Sequence, residues 1–176
     1  NQIHSRYKIP NDEYLYVLST FLLEPIRWID MYGWRKLSEK EKQAGYYFWS
    51  EVGKRMNIKD IPESLEAFKT YNREYEKKHF SFHANNKILA DASVNLFLGW
   101  YLPKSFWFLG KECIYAVMDQ PMRKAFGYPE PARWAKGAVK TFLKMRARVL
   151  LYLPARKKPY TLPSTRTYPE GYTLED

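Results

Sequence analysis

The sequence has a single cysteine, Cys113, and only three histidines, His4, His79 and His83. One cysteine excludes an internal disulfide framework and a cysteine-based zinc site. It fits the cytosol or a cytosol-facing location without excluding others. No apolar run approaches the roughly 18–20 residues that a spanning helix needs. The longest, LFLGWYLP and VLLYLP, are short and end in proline. There is no signal peptide pattern. Phosphate loop, GxGxxG, HExxH and GxSxG patterns are also lacking, so a hydrolase or nucleotide enzyme finds no support. Period-two alternation is scarce, which argues against strands. Internal repeats and low-complexity blocks are absent. Acids are missing from one long stretch: none lies between Glu130 and Glu170.

What is present is apolar, aromatic and basic. The 176 residues suit one domain with a sizeable core, and 45% hydrophobic content excludes wholesale disorder. Aromatics reach 18%, which suits a thick core and also a chain that meets lipid or large apolar ligands. The formal charge of +10 points to an acidic partner: nucleic acid, an anionic membrane or a ligand with carboxylates.

The pattern is helical almost throughout. Asn11 reads as an N-cap, with Asp12 and Glu13 in the first turn. Leu15, Leu18, Leu22, Ile26 and Ile29 then recur at helical spacing, and Pro25 predicts a kink or split near Glu24. Ser38 and Glu41 form a capping box for a helix to about Met56, whose apolar side carries Ala44, Phe48, Val52 and Met56. A helix over about 65–78 alternates acids and bases, the pattern of a solvated face. Further helices are expected over 85–101, 105–118 and a short PMRKAF segment closed by Gly127. A last one runs from after Pro131 to about Leu153. The expectation is an all-α domain of six to seven helices over 1–153, with an irregular tail over 154–176.

Three features could carry chemistry. His79 and His83 are spaced i and i+4, which on a helix would put both on one side as a metal pair. Asp91 is the nearest acid, and the plainer reading is two polar residues at a helix junction. The last helix gathers Arg133, Lys136, Lys140, Lys144, Arg146 and Arg148, followed by Arg156, Lys157 and Lys158. Trp134, Ala138, Phe142, Met145, Val149 and Tyr152 offer it apolar contacts. It suits an anionic membrane surface or a core helix with a solvated basic side. Nucleic acid is the weaker alternative, because no DNA or RNA motif accompanies the charge. Third, His4 precedes an apolar helix, with Tyr7, Tyr14 and Phe21 near enough in sequence to line a pocket. It could ligate haem iron or be a surface residue near a terminus.

The segments IHxxYxIxN (Ile3, His4, Tyr7, Ile9, Asn11), EPIRWI, YGWRKL, MxIKDIPES, FGYPEP and YPEGYTLE occur in that order. Together they resemble the ER-bound oxygenases of the MpaB type, which share a catalytic domain with the bacterial rubber oxygenases. The resemblance covers most of the chain. It implies an all-helical domain binding haem b through one histidine, and oxidative C=C cleavage of isoprenoid chains with dioxygen. His4 matches the histidine of the first segment and takes the role of iron ligand. Tyr7 and Asn11 would shape its surroundings, and Arg27 and Arg35 could meet haem propionates. His79 and His83 match no haem-binding motif. The resemblance places the distal polar residues and the membrane anchor upstream of His4, and a chain beginning with Asn1 rather than Met fits an upstream segment. Expected partners are a lipophilic, isoprenoid-like substrate and a membrane surface, with no nucleic acid; the expected place is membrane-associated, at the endoplasmic reticulum. The alternative is a non-enzymatic helical module, or an inactive fragment, that binds a membrane or protein through its basic C-terminal helix.

Overall fold

The computed structural model describes residues 7–154, and the last helix precedes a tail that lies mostly outside that range. Seven helices and no strand occur among the described residues: α1 (Asn11–Tyr32), α2 (Glu39–Arg55), α3 (Leu65–His79), α4 (Ala84–Tyr101), α5 (Trp107–Val117), α6 (Gln120–Ala125) and α7 (Arg133–Tyr152). A 3₁₀ turn, Lys104–Phe106, leads into α5.

The start of α1 differs from the sequence expectation. Pro10 is the N-cap, with no side-chain cap bond, and Asn11 is the first helical residue. Its amide is engaged elsewhere, as described below. Nor does Pro25 split the helix, which continues to Tyr32. A proline in a helix interior costs about 3 kcal/mol. Leu22, Leu23 and Ile26, all buried around it, return roughly 1.5–3 kcal/mol each, so packing wins.

α2 has the expected capping box. The Ser38 hydroxyl accepts from the Glu41 N–H, and the Glu41 carboxylate accepts from the Ser38 N–H. The apolar side expected from Ala44, Phe48, Val52 and Met56 is not the buried one. Ala44 and Phe48 face solvent, while Tyr46, Ser50 and Gly53 are buried. Val52 and Trp49 pack at the edge of the core. The inward face is set by how closely α2 approaches α1. A Cβ at Gly53 would stand 2.5 Å from Leu18 Cδ2, so a larger residue there would force the Leu18 side chain to move.

Two cores result. One joins Leu15, Leu18, Leu22, Leu23 and Ile26 of α1 to Tyr46, Ile58, Leu65 and Phe68. The other joins Ala90, Val94 and Leu98 of α4 to Tyr115 and Tyr128. α7 packs along α5 and also touches α1. Its buried residues are the small Ala135 and Ala147, which permit close approach. The larger apolar residues of α7, Trp134, Phe142, Met145, Val149 and Tyr152, face outward. After α6, Gly127 takes φ +67°, and a Cβ there would meet the Phe82 ring at 2.6 Å. The FGYPEP segment is therefore a tight structural turn. Its Tyr128 hydroxyl donates to Asp91 Oδ1 at 2.9 Å, and its Glu130 pairs with both Arg123 and Lys136.

Candidate functional site

α1 and α2 leave an apolar cleft of about 340 Å³ between them, lined by Ile9, Glu13, Tyr14, Val17, Leu18, Phe21, Trp49, Val52, Met56 and Ile58. It forms because the outward apolar residues of α1 (Val17, Phe21) and those of α2 (Trp49, Val52) meet above the leucine core. Phe21 and Trp49 stack with centroids 5.1 Å apart and planes 14° apart, giving the cleft a flat aromatic wall. Tyr14 and Phe21 thus line one pocket, as the sequence suggested. Tyr7 is exposed and does not join them.

The floor is completed by the loop after α2, where Asn57 and Asp60 take positive φ of 63° and 57°. Asparagine and aspartate tolerate that conformation better than other side chains with a Cβ. Asn11 clamps this loop: its Nδ2 donates to the Lys59 carbonyl at 3.1 Å, and the Lys59 N–H donates to Asn11 Oδ1 at 2.8 Å. The paired bonds hold Ile58, the preceding residue, buried against the cleft. Tyr71 ties α3 to the same corner by donating to the Asp12 carbonyl at 2.8 Å. Burial and the nearby Asp12 push its phenol up to about 12.

Beneath the cleft, between α1 and α3, runs a polar network that the sequence did not reveal. Asn72 Nδ2 donates to Ser19 Oγ at 3.0 Å, and both side chains are fully buried. Ser19 donates to the Tyr16 carbonyl at 2.6 Å. Arg27 Nη2 donates to Asn72 Oδ1 at 2.7 Å, while its other nitrogen pairs with Glu24. Tyr16 donates to Glu76, which is buried although it belongs to a series that reads as a solvated face. Burial is the main force raising the Glu76 carboxyl, with Asp119 and Glu24 adding to it and Arg27 opposing. The Tyr16 phenol is raised by burial and by Glu76.

The other expected site residues fall as follows. His4 lies outside the described residues, as do Arg156, Lys157 and Lys158. His79 and His83 do not share a helix. His79 ends α3, stacked on Tyr75 at 4.3 Å, and His83 caps α4, its Nδ1 accepting from the Asn85 N–H. The extended residue Phe80 breaks the helical spacing between them. Asp91 is taken by Tyr128 and Lys87. Arg35 makes a two-pronged pair with Glu41 on the surface, and Arg27 belongs to the network just described. Among the described residues no cluster of three or more histidine, cysteine or acidic side chains could hold a metal ion. No described histidine lines the cleft.

The fold and cleft together define an all-helical protein with an aromatic-walled apolar cleft between its first two helices. The chain belongs to the family described as "ER-bound oxygenase mpaB/B'/Rubber oxygenase, catalytic domain", whose family model matches residues 3–149. It is similar to the ER-bound oxygenase mpaB' of Penicillium brevicompactum, with 30% identity over 86% of this chain and 39% of the relative. It is also similar to the ER-bound oxygenase mpaB of Penicillium roqueforti (strain FM164), with 33% identity over 73% of this chain and 48% of the relative. The chain therefore spans less than half the length of these curated relatives. No solved structure matches it. No described helix is long and apolar enough to cross a membrane.

Proposed function

We propose that the chain is part of a haem-dependent oxygenase that cleaves C=C bonds of an isoprenoid or other lipophilic chain at a membrane surface. The observation that carries this reading is the apolar cleft of α1 and α2 in a chain of an oxygenase catalytic family. An uncharged polyprenyl chain offers nothing to an ion pair, so its site must be apolar. The described walls of the cleft fit a haem in polarity and not in ligation: the flat Phe21–Trp49 pair suits the face of a macrocycle and Val17, Val52 and Ile58 offer apolar contact, while the iron donor would have to come from outside this lining. His4, five residues before Ile9 in sequence, is the proposed ligand, and the haem when bound would supply the activation of dioxygen. Both atoms of O₂ would end in the two carbonyls formed as the C=C bond breaks, so no outside reductant is needed. Asn11 acts on the site through the loop it clamps. The relatives' names as ER-bound enzymes support a place at that membrane.

Purification with added haem tests the reading. We expect a Soret band that survives gel filtration, disappears in His4→Ala and weakens in Trp49→Ala. Incubation of the coloured protein with a polyisoprene oligomer and oxygen should then yield carbonyl-ended fragments. A chain that stays colourless would instead support the non-enzymatic helical module. Full haem retention in His4→Ala would remove the ligand assignment and leave the cleft to be explained by another.

A further inference from the structure

The last helix, α7, carries three separate stripes. Small and branched residues, Ala135, Val139, Leu143 and Ala147, face the protein at i, i+4 spacing, with both alanines fully or nearly fully buried. On the outer side Phe142, Met145 and Val149 are all more than half exposed. Trp134 and Tyr152, 50% and 83% exposed, stand at the two ends of that apolar stripe. Along one edge of it run Lys140, Lys144 and Arg148, again at i, i+4 spacing and exposed. None of these three pairs with an acid among the described residues, and α7 itself contains no acid. By contrast Lys136, at the helix start, is held by Glu130.

A helix of 20 residues is about 30 Å long, and here its whole length presents the same order of stripes. Large apolar side chains, end-placed Trp and Tyr, and long basic side chains beside them are the features of a helix lying in a lipid interface. The aromatic pair suits the head-group level and the cations suit anionic lipid. We propose that α7 seats on an anionic phospholipid surface, its apolar stripe entering the interface and Lys140, Lys144 and Arg148 meeting phosphates. The proposal rests on the reading that the chain works at a membrane and names the element that makes the contact.

Co-flotation of the full chain with vesicles tests it, using phosphatidylcholine alone or phosphatidylcholine mixed with phosphatidylserine. We expect flotation with the anionic vesicles that declines as salt rises. The triple variant Lys140→Gln, Lys144→Gln, Arg148→Gln should bind about a hundredfold more weakly, at roughly fivefold per cation. The double variant Phe142→Ser, Met145→Ser should lose binding while its circular dichroism stays helical, because both residues face solvent. Bromolipid quenching should fall in Trp134→Phe. Flotation of both variants equal to the parent would overturn the assignment to α7 and leave the membrane reading standing. A parent that floats with no vesicle would remove the membrane reading itself. A concentration-dependent dimer that dissolves in Phe142→Ser, Met145→Ser would make the stripe a self-interface and overturn the proposal.

Discussion

Asn72 and Ser19, 53 positions apart in sequence, meet through a side-chain hydrogen bond of 3.0 Å at a point where neither has any exposure. The bond sets the register of α3 against α1. Leucine at position 19 would leave the Asn72 amide N–H without its partner, and leucine at position 72 would take a partner from both Ser19 and Arg27. An apolar seam could slide by a turn, whereas this polar pair matches at one position only.

Replacing Asn72 with alanine should therefore cost more than its volume suggests. Ser19 Oγ would lose a partner in a dry place, at about 1–3 kcal/mol, while Arg27 Nη2, a third exposed and still paired with Glu24 through its other nitrogen, can turn to water at a smaller cost. Urea unfolding of Asn72→Ala should show this loss, and Ser19→Ala should show a smaller one. A midpoint unchanged within error would mean that water replaces the amide.

Stability should depend on pH through Glu76. Burial raises its carboxyl above the ordinary range, so the folded protein holds that proton more tightly than the unfolded chain. The contribution is fully present below the ordinary carboxylate range and is lost as pH rises through the raised value. Glu76→Gln keeps an acceptor for Tyr16 and removes the titration. Thermal melts should show the variant at least as stable as the parent at neutral pH, with a flatter profile through the weakly acidic range.

Glu41 works in the opposite direction. Arg35 and the Ser38 cap hold its carboxylate at about 2, so its contribution is present above the ordinary range and is lost as pH falls toward that value. Ser38→Ala should remove about 1 kcal/mol of helix stability. Fraying of the first turn of α2, read by amide exchange of Glu41 and Lys42, is the check.

Gly53→Ala should crowd the α1–α2 contact. Its new methyl would meet Leu18 and Ile61 side chains at 2.5 and 2.9 Å, an overpacking that costs about 1–3 kcal/mol. Leu18 also lines the cleft, so its displacement should change haem retention as well as the melting temperature.

Asn11→Ala separates clamp from cap. With Pro10 at the cap position, the helix loses little, but Lys59 loses both of its bonds to the side chain. Faster amide exchange at Lys59 and weaker haem retention, with α1 helicity unchanged, are the expected results.

Features set by neighbours in sequence were legible. The Ser38–Glu41 capping box and Gly127 at the end of α6 need only three or four residues to specify them. Tyr14 and Phe21 could be placed near one pocket because they share a face of one helix. The polar network could not be read, because Ser19, Arg27, Asn72 and Glu76 make sense only once α3 lies on α1. Counting large apolar residues also chose the wrong inward side for α2. Gly53 and Ser50 are small, and smallness rather than hydropathy decides where two helices come closest. The spacing of His79 and His83 misled for a related reason: periodicity cannot see that Phe80 ends one helix and His83 starts the next.

The placement of α1 bears on how the chain acquires its shape. Its closest helical partners, α2 and α3, follow it directly, so the first core can close from contacts between successive elements. During synthesis that three-helix unit can be complete before α7 has left the ribosome, whereas α5 must wait for its principal partner. Until α7 arrives, the flank of α5 stays open to other proteins.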